Sequence, residues 1–143
     1  MYLEGIACSV ATSGLAAPQT GRALVEAGLH PATGGTGAQA CSGDMLLQAL
    51  IACFCMTVGA VATALGIPLR GGSIHAEGDL DFRGTLGVDK AAPVGFQAIR
   101  LRAHLDGGAA PDQLDRLLEL SERYCVVLPT LRHPAAITTS RIG

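Results

Sequence analysis

With 143 residues, 49% hydrophobic and 15% charged, the chain has the length of one domain and is apolar for a subunit that faces water on all sides, which favours an oligomer. A net charge of −2 without a basic stripe, two Tyr and no Trp exclude an electrostatic or base-stacking nucleic-acid surface. No basic region, apolar run and cleavage site open the chain, and five cysteines in such a chain point to a reducing compartment, the cytoplasm.

In chain order, residues 2–11 (YLEGIACSVA) read as a strand, 13–21 (SGLAAPQTG) as a turn and 22–29 (RALVEAGL) as a second strand, so the two make a hairpin. Residues 30–41 (HPATGGTGAQAC) are a Gly-rich loop. PATGGTG lacks the Gly-Lys-Ser/Thr ending of a phosphate-cradling loop and is read as an approach to the helix that follows.

That helix runs from Cys41 to Gly66, CSGDMLLQALIACFCMTVGAVATALG. Ser42 suits its cap and Asp44 complements the dipole of its first turn. Gly66 suits a left-handed ending, and Pro68 cannot continue the helix. Its polar residues after the first turn are Gln48, Thr57 and Thr63, so it is apolar nearly all round and belongs inside a protein or a membrane. Met45 to Leu65 is about long enough to span a bilayer, for which roughly 20 apolar residues are needed. Its residues, however, are small rather than Leu- and Phe-rich, and no Trp, Tyr, Lys or Arg belt flanks it. A buried helix, covered in part by a second subunit, is the expectation, with no membrane as partner.

Beyond Pro68, residues 69–82 read as a strand with Ile74, Ala76 and Gly78 on one face and His75, Glu77 and Asp79 on the other. Residues 83–93 are a loop. Residues 94–105 alternate clearly: Ile99, Leu101, Ala103 and Leu105 face the core, and Arg100, Arg102 and His104 face water. A second, amphipathic helix follows, with Pro111 and Asp112 in its first turn and Leu114, Leu117, Leu118, Ser121 and Cys125 along one face. Pro129 breaks the next segment, and 135–142 (AAITTSRI) is a final strand. The order β-β-α-β-β-α-β is an α+β plan in a single domain, residues 1–143.

The candidates for chemistry are Cys53 and Cys125. As small core hydrophobes they need no function. As a redox pair, one thiolate becomes a sulfenic acid and the other condenses with it to a disulfide, which requires close sulfurs and a lowered pKa on the first. A thiol in an apolar helix without a cation has a raised pKa and little thiolate at neutral pH. Cys53 and Cys55 form a C-x-C, but residues two apart on a helix point in different directions and do not share a metal. A metal site from His30, Cys41 and Cys125 has no supporting ligand spacing, and no metal is expected. Cys8 and Cys41 read as packing residues.

The Gly-rich loop, the pattern LLQALIACFCMTV with Ala52-Cys53-Phe54, the turn Gly66-Ile67-Pro68 and the segment ERYCVVLPTL resemble the OsmC/Ohr family over essentially the whole chain. The resemblance implies an OsmC-like fold, an intertwined homodimer with the central helices buried in its middle, and thiol-dependent reduction of organic hydroperoxides or hydrogen peroxide. It implies Cys53 as the peroxidatic nucleophile and Cys125 as the resolving cysteine. No cofactor is implied beyond an external dithiol reductant, of lipoyl type or another thiol. The substrate pocket is expected at the dimer interface, near Phe54, Met56 and Met45. The chain departs from the family pattern in three places. Ser42-Gly43-Asp44 stands where relatives have an activating Glu, with Asp44 as its shorter counterpart. The Arg that this Glu orients over the cysteine lies, in relatives, in the hairpin loop; here that loop has no Arg before Arg22, which with Asp44 is the candidate helper. Val126 follows the second cysteine where Pro is frequent. An OsmC-fold protein that has lost peroxidase activity and binds an apolar ligand, or serves as a structural partner, is the alternative reading.

Overall fold

The computed structural model describes residues 2–4, 7–10 and 25–143, with side chains from residue 26 onward. The expected turn at 13–21 and Arg22 lie outside the described residues, as does the Cys8 side chain. The chain divides into two compact units, Met1–Leu47 with Gly78–Ile99 and Gln48–Glu77 with Arg100–Gly143. Three long elements contribute residues to both: α1 (Ser42–Leu65), β5 (Leu69–Leu80) and β6 (Phe96–Gly107).

The first unit holds a four-stranded sheet in the order β1-β2-β3-β4, formed by Tyr2–Glu4, Ala7–Val10, Val25–Gly28 and Ala40–Cys41. The expected strand over 2–11 is therefore two strands, β1 and β2, paired antiparallel with Leu3 opposite Cys8. Its irregular hydrophobic alternation had no single register to offer. The expected hairpin partnership holds, since β2 pairs antiparallel with β3, Ser9 opposite Glu26. Strand β4 adds in parallel at Ala27–Ala40. The Gly-rich loop between β3 and β4 opens with a 3₁₀ turn, Pro31–Thr33, capped by His30, whose Nδ1 accepts from the Ala32 N–H at 3.1 Å. The expected loop at 83–93 begins with one helical turn, α2 (Phe82–Thr85), whose start is capped by the Asp81 carboxylate.

Strands β5 and β6 pair with each other. Gly72 lies beside His104 and Gly78 beside Phe96, so they run antiparallel. The faces are those the alternation predicts: Ile74, Ala76, Gly78, Ile99, Leu101, Ala103 and Leu105 are half-buried, and Arg100, Arg102 and His104 are exposed. The alternation slips by one residue between Phe96 and Ile99, which puts Phe96 on the covered side. Its ring then lies over Gly78, where an added Cβ would overlap the ring carbons. Gly78 is thus required for space.

In α1 the apolar sequence is not uniformly buried. Leu50, Phe54, Val58 and Ala62, four residues apart, form one stripe with 2–4% exposure. Ala52, Cys55, Met56, Gly59, Ala60 and Ala64 are exposed, Met56 to 75%. One chain covers this stripe of the helix only. By length and composition alone the helix is apolar enough to cross a membrane. Ser42 is its first residue rather than the residue ahead of it. Its end is as predicted: Gly66 has φ +66°, and the Ile67 N–H reaches back to the Ala62 carbonyl at 2.9 Å.

The second unit buries Leu117, Ser121, Cys125 and Leu128 with the α1 stripe. Leu117, Ser121 and Cys125 lie on the predicted face of α3 (Pro111–Tyr124) and its end. Two expectations fail here. Pro129 does not break the segment but sits third in a short helix, α4 (Val127–Arg132). The first-turn N–H groups of a helix have no partner within it, so a proline there forfeits nothing. The expected strand over 135–142 is absent: these residues are exposed, carry no regular structure and pair with no strand among the described residues.

Candidate functional site

Cys53 lies midway along α1, one residue before the buried Phe54 and therefore at the margin of the covered stripe. Cys125 closes α3 as its C-terminal cap, with φ −62° and ψ 132°, and its N–H is held by the Ser121 carbonyl at 2.9 Å. The chain turns there into α4, and an Arg132–Glu122 ion pair at 2.8 Å clips α4 to α3. These constraints bring the two thiols, both free, close enough for each to influence the other's ionisation.

The surroundings separate the two thiols. The Val127 N–H, the strongest influence, holds the Cys53 thiol below its ordinary pKa against the opposing effect of burial. The Cys125 thiol, the Val126 N–H and the Thr57 hydroxyl add to the lowering. Burial, in turn, pushes the Cys125 thiol up, and the neighbouring Cys53 sulfur adds to the rise. The two shifts favour ionisation of Cys53 over Cys125. The expectation of a raised Cys53 pKa is corrected: main-chain N–H groups perform the role for which a cation was sought.

Cys53 opens onto a groove of about 670 Å³. Met56, Thr57, Val61 and Leu65 of α1 and Leu120 and Tyr124 of α3 contribute to its walls. Of the residues expected around a substrate pocket, Met56 lines this groove. Phe54 is instead in the covered stripe, and Met45 is half-buried outside the groove.

Asp44 is nine residues before Cys53 on the same helix, about 13 Å along the axis at 1.5 Å per residue. It is exposed, and its carboxylate makes no ion pair among the described residues. It does not reach Cys53 of its own chain. Cys55 is exposed and turned away from Cys53. His30 stacks on Phe82 with ring centroids 5.1 Å apart. His30 and Cys41 border a separate apolar pocket of about 340 Å³ in the first unit. Among the described residues no group of three His, Cys, Asp or Glu side chains is placed to hold a metal ion.

The family model for OsmC-like proteins matches residues 35–140, which span the central helix, both cysteines and α4. The chain belongs to the OsmC-like family. Among solved structures, the OsmC-like protein from Mycoplasma pneumoniae superposes with a TM-score of 0.66 at 16% identity, over 94% of this chain and 91% of that one. An organic hydroperoxide resistance protein OsmC from Legionella pneumophila gives 0.65 at 20% identity over 89% of each chain. A hypothetical protein from Aquifex aeolicus gives 0.61 at 17%, over 94% and 90%. At these identities the likeness is one of fold. No curated protein matches the sequence.

In this OsmC-like chain the residues that sequence reasoning missed are Thr57, Val126 and Val127. Two signals pointed to them. Thr57 follows Cys53 by one helical turn, so the two share a face. Pro129, four residues after Cys125, marks a first helical turn whose free N–H groups come directly after the second cysteine.

Proposed function

We propose that this OsmC-like chain is a thiol-dependent peroxidase that reduces organic hydroperoxides through Cys53 and Cys125. The observation that carries the reading is a pair of free thiols that influence each other and whose surroundings shift their ionisation in opposite directions. The Cys53 thiolate attacks the terminal oxygen of ROOH. An S–O bond forms, the O–O bond breaks, and the alkoxide RO⁻ takes a proton from water to leave as ROH. The Cys125 sulfur then attacks the Cys53 sulfenic acid; the S–S bond forms, and the Cys125 proton leaves with the hydroxyl as water. An external dithiol, of the lipoyl or another class, reduces the disulfide by exchange and is itself oxidised. The groove walls, mostly apolar, suit the organic tail of a hydroperoxide better than hydrogen peroxide, by desolvation. Support also comes from the Legionella fold neighbour, named an organic hydroperoxide resistance protein.

The direct test is a thiol count by intact mass after one equivalent of cumene hydroperoxide is added to the fully reduced protein. Loss of two thiols within seconds, mapped to a Cys53–Cys125 disulfide, is the expected result. No loss over minutes would instead favour the second reading, an apolar-ligand or structural protein on the same fold, for which the remote Asp44 is the specific argument.

The exposed apolar side of α1 belongs, in this proposal, against a second copy of the chain in the cytoplasm, forming a homodimer. Sedimentation of the reduced protein should give twice the 14.5 kDa chain mass. Met56→Glu should drive it toward the monomer, because a charge would be buried without a partner. A monomer at micromolar concentration would sink the dimer.

A further inference from the structure

Thr57 donates its Oγ1 hydrogen to the Cys53 carbonyl oxygen at 2.8 Å. Such back-bonds to the preceding turn are ordinary for helical hydroxyls, and Thr63 and Thr130 make them as well. In those two cases the residue four positions back is Gly59 or Val126, which offers no side-chain acceptor. At Thr57 it is Cys53, whose thiol lies one turn back on the same helix face, and the Thr57 hydroxyl is among the groups that lower its pKa. Thr57 and Cys53 also border the same groove. A helical threonine has two accessible χ1 rotamers, so one hydroxyl can serve either acceptor.

We propose that Thr57 is a positioning residue whose hydroxyl hydrogen moves from the Cys53 carbonyl to the Cys53 sulfur as that sulfur ionises, holding the thiolate toward the groove. The proposal rests on the reading of Cys53 as the nucleophile. It assigns to a neutral hydroxyl, one turn away, part of the orienting role for which Asp44 is too remote. Among the described residues, the titratable groups beside Cys53 are Cys125 at the end of α3 and Tyr124 on the groove wall, and no acidic or basic side chain lines the groove. The main-chain donors at Val126 and Val127 remain in every variant considered below.

The test is the pH profile of Cys53 alkylation by iodoacetamide, between about pH 5 and 10, localised by tandem mass spectrometry. Wild type, Thr57→Val and Thr57→Ser are compared, with circular dichroism to establish folding and Thr57→Ala in place of the valine variant should that not fold. Thr57→Val should raise the midpoint by about one pH unit, the size of one hydrogen bond to a charged acceptor. Thr57→Ser should restore the wild-type profile. Coincident profiles for wild type and Thr57→Val would overturn the proposal. So would a Thr57→Ser midpoint as high as that of Thr57→Val, which would make the effect one of packing. Alkylation uses no peroxide. A shifted profile in a protein that fails to react with cumene hydroperoxide would therefore leave Thr57 in its role and remove the peroxidase reading alone.

Discussion

Replacing Cys125 with Ser should stop the reaction halfway. Cys53 in the Cys125→Ser protein should still consume one equivalent of hydroperoxide, because the Val127 N–H and the Thr57 hydroxyl that stabilise its thiolate are untouched. The serine hydroxyl, nearly the size of the thiol, can donate to Cys53 as the thiol does. The product should be a sulfenic acid that dimedone traps, with no intramolecular disulfide and dithiol-dependent turnover much reduced. Cys53→Ser should abolish reaction at the first step and lower turnover by about three orders of magnitude or more, as expected when the nucleophile itself is removed. Intact mass, dimedone labelling and a peroxide-consumption assay distinguish the two stops. If Cys53 still entered an intramolecular disulfide in Cys125→Ser at the wild-type rate, another cysteine would be the resolving one. Comparable turnover in Cys53→Ser would end the peroxidase assignment at this pair.

The largest loss of stability from a single truncation should come from Leu117→Ala. Leu117 has 0% exposure, lies one turn before the equally buried Ser121 and shares the α3 face that ends in Cys125. Removing its branched end leaves a cavity that the surrounding helices fill only in part, at a cost of about 2–5 kcal/mol. That is a large fraction of the stability of a domain, and a fall in Tm of about 10 °C should accompany it at fixed protein concentration. Leu118→Ala, next along the helix but half-buried, should cost distinctly less. Equal losses for the two variants would show that the face does not point where the structure puts it. Because α3 delivers Cys125, Leu117→Ala should also slow disulfide closure relative to the first oxidation.

Much of the fold was legible because its signals are local. Gly66 and Pro68 mark the end of α1, and strict alternation at 99–105 gives the faces of β6. The Leu117–Ser121–Cys125 spacing gives the buried side of α3. The misreadings arose where partners outside the segment decide. Residues 135–142 have strand composition, but a strand needs an edge to join, and composition does not supply one. Pro129 has opposite meanings in the middle and in the first turn of a helix, and only the start of α4 at Val127 decides between them. At the candidate site, the resemblance pointed to the cysteines but could not reveal their ionisation. Spacing in sequence says nothing of whether the main chain after Cys125 turns its N–H groups toward Cys53.

Those N–H groups at Val126 and Val127 carry a consequence for how the chain tolerates change. An activating arginine can be lost by a single codon change. A main-chain donor is supplied by nineteen of the twenty amino acids, and its direction is set by the turn from α3 into α4. Drift in side-chain identity at 126 and 127 is therefore neutral toward the Cys53 thiolate, except for drift to proline. The backbone is compatible with proline at 126, since Val126 has φ −73° and Cys125 before it is extended. A single exchange there would leave the fold in place and silence one donor, so this position can adjust the reactivity of the sulfur by degrees while the cysteines themselves stay unchanged.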